Sequence, residues 1–485
     1  MKTGTIILLS VLALFVLLIA VVVIRAASVK PTAAREARMP ETDRERSLSY
    51  AQTLSEMIKM ETISDRDNFD ISKYYRYHEK LRELFPLVFS KLEVTDIDGS
   101  LIARWKGKSS DSAVLLMSHQ DVVSAEGNWE HDPFGGEIIG DRIWGRGTVD
   151  TKSSGFAFLQ AAEELLEEGY VPETDIYLAG SCTEEISGDG AEKTAEWLRE
   201  KGVKLSLVLD EGGAIVEEPV GGVKGLYAMV GVVEKGYCDV RFVAKGHGGH
   251  ASIPPKNSPW ARLAAFINEM EKHDPFYPKF NDTTLEMFRR LSPNMPFAFR
   301  LIFCNMWLFK PLMTKLIGKI SPAGGAMIKT TMAFTKGKGS EGYNVLPLES
   351  YVSANLRFIN HQPTGEGLEM LRKKAKKYDI DLEVITAKEP SVPISYTSNA
   401  FHLVEEASSE IFPGLGVVPY VMTGGTDAKD YECICDNVLR LAPVYMSDEQ
   451  RDSMHAENEN LFIDALPPAV DFYKYIICNS VKAKD

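Results

Sequence analysis

From about residue 48 onward, apolar residues follow two alternating patterns: short unbroken runs, and longer stretches where they recur every three or four positions. AVLLMS (113–118) is one short run and ends at His119; DIYLAGSC (175–182) and LSLVLD (205–210) are others. Between them, FAFLQAAEELLEEG (156–169) and AEKTAEWLREKG (191–202) carry the helical period and stop at glycine. Buried strands alternating with helices predict an α/β fold with a mostly parallel sheet covered by helices on both faces. Near residue 235 the pattern changes. YCDVRFVAKG (237–246) alternates residue by residue, as an antiparallel strand with one wet face does. A helix over 258–272, a strand over 344–359, a helix over 365–378 and a strand at DLEVIT (381–386) follow, which predicts an inserted α+β unit. The first pattern resumes at VVPYVMT (417–423) and ends with a helix in 461–477.

The N-terminus is of another kind. Residues 6–24 (IILLSVLALFVLLIAVVVI) carry no charge, and as a helix they reach across a hydrocarbon core of about 30 Å. Ala26-Ala27 offers a signal-peptidase site, but the run exceeds a usual signal core and Arg25 abuts its end. The expectation is an uncleaved single-pass membrane anchor, or a secreted protein if the segment is removed. Lys2 flanks one side and Arg25, Lys30, Arg35 and Arg38 the other, so the side of the membrane stays open. The resulting division is 1–27 anchor or signal segment, 28–47 polar linker, 48–235 first part of a catalytic domain, 236–388 inserted domain, and 389–485 second part. With 485 residues, 45% hydrophobic and 25% charged, the chain has apolar material for more than one core. A net charge of −14 argues against nucleic acid as a partner, and six cysteines without a CxxC pair argue against a cysteine-based zinc knuckle.

The chemistry-bearing residues gather where strands are predicted to end. His119 and Asp121 follow one strand, Glu184 and Glu185 another, Asp210 and Glu211 a third; Asp150 precedes a helix, and His455 lies in MHAENE. Ligands of open α/β sheets bind beyond the carboxyl ends of strands, so these side chains converge. Two histidines with several carboxylates make a zinc-compatible set.

In SHQDVV, GRGTVDTK, TEEISGDG, LDEGG and MHAENE, the chain resembles the co-catalytic dizinc metallopeptidases that include aminoacylase, carboxypeptidase G and carboxypeptidase S. The N-terminal anchor and long insertion point to the branch of carboxypeptidase S and the N-fatty-acyl-amino-acid hydrolases. The resemblance implies two zinc ions, with cobalt or manganese also suited to such ligands. Asp150 would bridge them, His119 and Asp210 complete one, and Glu185 and His455 the other; Glu211 is the alternative to Asp210. Glu184 would be the general base toward a metal-bridging water, Asp121 would orient His119, and the Asp150–Thr151 peptide would be cis. In the insertion, expected to act as a lid and to dimerise in a possible homodimer, His250, Asn344 and Arg357 would contact the substrate. GGTDAKD (424–430) resembles a glycine-rich loop near it. The implied activity is zinc-dependent hydrolysis of an N-acyl amino acid or short peptide next to a free carboxylate. A dipeptide-preferring carboxypeptidase and a membrane-tethered binding protein on a hydrolase scaffold are the alternatives. One stretch stays outside this scheme: residues 297–320 are rich in apolar residues, and all their charges are positive. They are expected to pack inside the insertion's core, to wall the cleft, or to rest on the membrane.

Overall fold

A computed structural model describes residues 2–484. Its main sheet runs in the order Glu93–Ile97, Ser100–Trp105, Thr174–Ser181, Ser109–His119, Leu205–Asp210, Val438–Arg440, Leu226–Glu234, Gly416–Met422, with Ile215–Glu217 branching from Leu226–Glu234. The centre is parallel: Ser109–His119 pairs with Thr174–Ser181 and with Leu205–Asp210, which in turn pairs with Val438–Arg440. These strands are apolar runs buried along most of their length, as strands covered on both faces must be.

The sheet is mixed, which corrects the expectation of a mostly parallel one. Glu93–Ile97 and Ser100–Trp105 form a hairpin through Asp98 and Gly99, at φ 51° and 89°, and a two-residue turn of that kind joins only antiparallel strands. Leu226–Glu234 also runs against Val438–Arg440. Helices Lys152–Glu167, Arg44–Ile58 and Leu466–Cys478 pack together, the first also resting on Ser109–His119.

A second sheet lies between residues 236 and 387, in the antiparallel order Thr331–Lys338, Glu349–Phe358, Gly236–Lys245, Asp381–Ala387. Glu349–Phe358 buries every second residue, and those side chains meet helices Pro259–Lys272 and Thr364–Lys376 in a separate apolar cluster that includes Phe242, Phe266, Leu356 and Leu371. The strand expected over 344–359 is broken. Val345–Leu346 pairs instead with Gly249–His250, and Pro347, which has no N–H to donate, separates it from Glu349–Phe358.

The N-terminal segment is a helix, Lys2–Ser28, long and apolar enough to cross a membrane. Residues 297–320 form two helices, Phe297–Phe303 and Met306–Ile320. They belong neither to the apolar cluster of the second sheet nor to the cleft. Ile302, Met306, Met313 and Ile317 pack with Tyr227 and Val418, at the edge of the main sheet.

Candidate metal centre and active-site cavity

Three adjacent parallel strands bring the acidic loops and His119 to one level: His119 lies opposite Ser181, and Leu116 opposite Leu209. His119 Nε2 is 2.9 Å from Asp150 Oδ1, and His455 Nε2 is 2.8 Å from Asp150 Oδ2 and 3.3 Å from Glu185 Oε2. One carboxylate therefore faces two imidazoles, and ligand atoms of His119, Asp150 and Glu185 all lie within 4.8 Å of one another. The Asp150–Thr151 peptide is cis, and His455 reaches the cluster from a loop in the left-handed region at φ 59°.

Asp121 does more than face His119. Its Oδ1 is 3.6 Å from His119 Nδ1, which lies closer, at 2.9 Å, to the Asp121 carbonyl. The carboxylate accepts hydrogen bonds from the backbone N–H groups of Glu184 and Glu185 at 3.2 and 3.1 Å and from the Ser64 hydroxyl at 2.7 Å. It thus ties the acidic loop to the end of the histidine strand.

Glu459, quoted within MHAENE but given no role from sequence, plays the equivalent part for Asp150. Its Oε1 accepts from the backbone N–H groups of Gly147, Val149 and Asp150 at 2.7–3.1 Å, and its Oε2 from the buried Arg146 guanidinium at 2.6 Å.

Asp210 and Glu211 differ in placement. Asp210 is buried and spends both oxygens on backbone N–H groups, Oδ1 on Glu211 at 2.8 Å and Oδ2 on Ala428 at 2.7 Å. Glu211, not Asp210, lines the cavity over the cluster. That cavity holds about 340 Å³, and its walls include Asp150, Glu184, Glu185, His455, Asp427 and Arg357. Arg357 lies over the Tyr237 ring at 4.6 Å and receives support from Asn355 Oδ1 at 3.2 Å. Lys388 and Lys429 also line it, and sequence reasoning had not singled them out. Asp427 falls in GGTDAKD, a loop noted for its glycines but with no residue chosen. His250 and Asn344 stand apart, on the exposed ribbon where Ala251 N–H donates to the Asn344 carbonyl at 2.9 Å; neither lines the cavity.

The electrostatics are those of crowded carboxylates. Burial, then the nearby Asp427, Glu211 and Glu185, raise Glu184 well above the usual carboxylate range despite His119. Glu211 is raised by burial and by Asp150 and Asp210, and Asp427 is pushed up to about 8 by burial and Asp210. Burial opposes the ionisation of Asp150 too, yet hydrogen bonds to His119 and His455 hold it low. His455 is held up to about 10 by Asp150 and Glu185. The buried Glu185 Oε1 has no hydrogen-bond partner. Excess negative charge, two imidazoles and an orphaned carboxylate oxygen are the features that a bound cation resolves.

Comparison with known proteins finds relatives over most of the chain. Residues 115–479 match the model of peptidase family M20/M25/M40. The chain is 31% identical over 481 residues to the N-fatty-acyl-amino acid synthase/hydrolase PM20D1 of Xenopus tropicalis, covering 96% of this chain and 93% of that protein. It is 31% identical over 447 residues to the probable carboxypeptidase S-like 2 of Dictyostelium discoideum, covering 90% and 86%. The fold resembles that of the M20 family metallo-carboxypeptidase Sso-CP2 from Sulfolobus solfataricus, with a TM-score of 0.66 at 18% identity, over 90% of this chain and 99% of that one. The chain belongs to peptidase family M20/M25/M40, alongside carboxypeptidase S-like proteins and N-fatty-acyl-amino acid hydrolases, and is itself a hydrolase.

Proposed function

We propose that this protein hydrolyses the amide bond of N-acyl amino acids or short peptides next to a free carboxylate, with a pair of divalent metal ions, zinc foremost, held between its histidines and carboxylates. The observation that carries the reading is the Asp150 carboxylate set between His119 and His455, one oxygen toward each, at the floor of a cavity that also presents Arg357. Asp150 would be shared by both ions, with His119 and Glu211 on one and Glu185 and His455 on the other. Glu211 replaces the Asp210 of the sequence-based expectation because Asp210 is already occupied by two backbone donors. Bound there, the metals supply Lewis acidity toward a carbonyl oxygen and lower the pKa of water.

The remaining steps belong to the chain. Glu184 takes the proton of the attacking water and returns it to the leaving amine; it stays off the metals for that purpose. Its neighbour Glu185 reaches His455, and the Asp121 carboxylate holds the backbone N–H groups of both glutamates. Arg357 pairs with the substrate carboxylate through its guanidinium fork. The unit of 236–388 acts as a lid that brings Arg357 and Lys388 over the metals from the opposite side.

A second reading, a preference for dipeptides, is supported by the lining of the cavity. Apart from Met422 and Met454 and the ring of Tyr237, its walls are mainly polar or glycine, and residues 297–320 do not reach it. Turnover of N-acyl amino acids of increasing acyl length, beside dipeptides, decides between the two: a rise with chain length supports the acyl substrate, and a flat profile with faster dipeptide turnover supports the peptide. Loss of all turnover on chelation and its return with zinc tests the metal-dependent mechanism common to both.

A further inference from the structure

The N-terminal helix and residues 297–320 meet. Leu18, Val22, Ala26 and Val29 fall on one stripe at spacings of four and three, and Val22 and Ala26 are buried. Asn305, itself buried, donates from Nδ2 to the Val22 carbonyl at 3.1 Å, and Arg300 Nη1 donates to the Val29 carbonyl at 2.9 Å. Asn294 secures the next turn of chain: Thr32 N–H donates to its Oδ1 at 3.0 Å, and its Nδ2 donates to Thr32 Oγ1 at 2.9 Å. The foot of the helix is therefore fixed to the body. The stretch before it, residues 3–20, is about 27 Å long at 1.5 Å per residue, close to the thickness of a bilayer's hydrocarbon core. With the helix spanning a membrane, Val22 lies where hydrocarbon gives way to headgroups.

At that level the two helices carry what a headgroup layer accepts. Phe297, Phe299, Trp307, Leu312 and Ile320 are exposed, Trp307 at 56% and Ile320 at 64%. Residues 297–320 hold Arg300, Lys310, Lys315 and Lys319 and no acidic residue, in a chain whose net charge is −14. Exposed apolar residues interspersed with cations along the two helices suit an anionic interface, and tryptophan favours that depth.

We propose that helices Phe297–Phe303 and Met306–Ile320 rest in the anionic headgroup layer of the bilayer that the N-terminal helix crosses, so that the body is docked on the membrane and not merely tethered to it. This rests on the membrane-anchor reading of residues 3–28. It also sets where the cleft stands. Tyr227 packs with the two helices, and Glu234, later on the same strand, lines the cavity; seven residues of strand put roughly 23 Å between them. The length of that strand separates the active-site cavity from the docked helices.

The test uses the full chain reconstituted in phosphatidylcholine vesicles with and without phosphatidylserine. Flotation reads the anchor; quenching of tryptophan fluorescence by lipids labelled near the headgroup reads the platform. The expected result is flotation of wild type and Trp307→Phe alike, with shallow-label quenching present in wild type, lost in Trp307→Phe, and weakened when phosphatidylserine is omitted. Flotation with equal quenching in both proteins would overturn the platform and leave the anchor standing. Failure to float would overturn the anchor and the platform with it. Trp307→Asp converting a dimer to a monomer would assign the face to a second copy of the chain and likewise overturn the proposal. Hydrolysis by Trp307→Phe at the wild-type rate shows that the variant is folded.

Discussion

Two adjacent acidic residues at a strand end, Asp210 and Glu211, show how far a side chain's role depends on contacts distant in sequence. Both follow LSLVLD, and the local pattern favours either. What separates them is Ala428, whose N–H donates to Asp210 Oδ2, while Glu211 lines the cavity. Glu211→Gln should therefore lower metal content, whereas Asp210→Asn should retain metal and show its loss mainly in thermal stability, as an amide nitrogen now faces a backbone donor. The reverse pattern, read by metal analysis and melting, would restore Asp210 as the ligand. Arg357→Ala should weaken kcat/KM on substrates with a free carboxylate by the equivalent of about 1.5–3 kcal/mol, the range for a charge-assisted hydrogen bond, and spare the corresponding amides. Equal losses on both would make Arg357 a structural residue.

At the scale of elements, the loop GRGTVD is shaped by Glu459 more than by its own residues. Three backbone N–H groups converge on one carboxylate oxygen, and Arg146 neutralises the other in a fully buried pair. Glu459→Gln keeps an acceptor for the backbone but leaves the Arg146 charge buried and uncompensated, a change that costs about 3–5 kcal/mol when one partner of such a pair is removed. Chemical denaturation should show that loss, and Arg146→Met in the same chain should recover a substantial part of it; no recovery would mean that the carboxylate matters for the loop and not for the charge.

The elements also show what sequence can reveal. The central strands were legible because they are continuous apolar runs ending in polar chemistry, and the convergence of His119 and Glu185 follows from strand ends meeting at one level, with Asp150 supplied by the loop before helix Lys152–Glu167. The direction of Leu226–Glu234 was not legible, since pairing with Val438–Arg440 is a long-range choice that no local period records. Thr331–Lys338 escaped notice because it is an edge strand, mostly exposed, with no buried run to mark it. His250 and Asn344 were marked by motif alone, and the fold places them together but outside the cavity.

For the molecule as a whole, the crowded centre links metal, protons and stability. His455 is held up to about 10 by Asp150 and Glu185, against 6.5 ordinarily, and Asp427 is pushed to about 8 by burial and Asp210, against 3.8. In both cases the folded state binds the proton more tightly than the unfolded chain. The stability each contributes is complete below its unfolded pKa and is lost as pH rises through the folded one. Asp150, held low, is ionised in both states across this range and adds no slope. In metal-free protein these two groups lower the melting temperature as pH rises from about 6.5 to 9, while the buried Lys152 and Lys235, each lowered by burial to about 7, act in the opposite direction. Zinc removes the first contribution by taking the place of the protons, so the melting temperature of zinc-loaded protein should climb relative to that of metal-free protein over this range. A difference between zinc-loaded and chelated protein that does not widen with pH would contradict this.

The central claim is that Glu184 works on a metal centre it does not bind. The most direct measurement is metal content and turnover of an N-acyl amino acid, determined on the same preparations of wild type and Glu184→Gln. Two metals per chain are expected in both proteins, with a rate lower by roughly 10²–10⁴ in the variant, as for a removed general base. A variant that has lost metal in proportion to its activity, or one that keeps both metal and wild-type turnover, would contradict it.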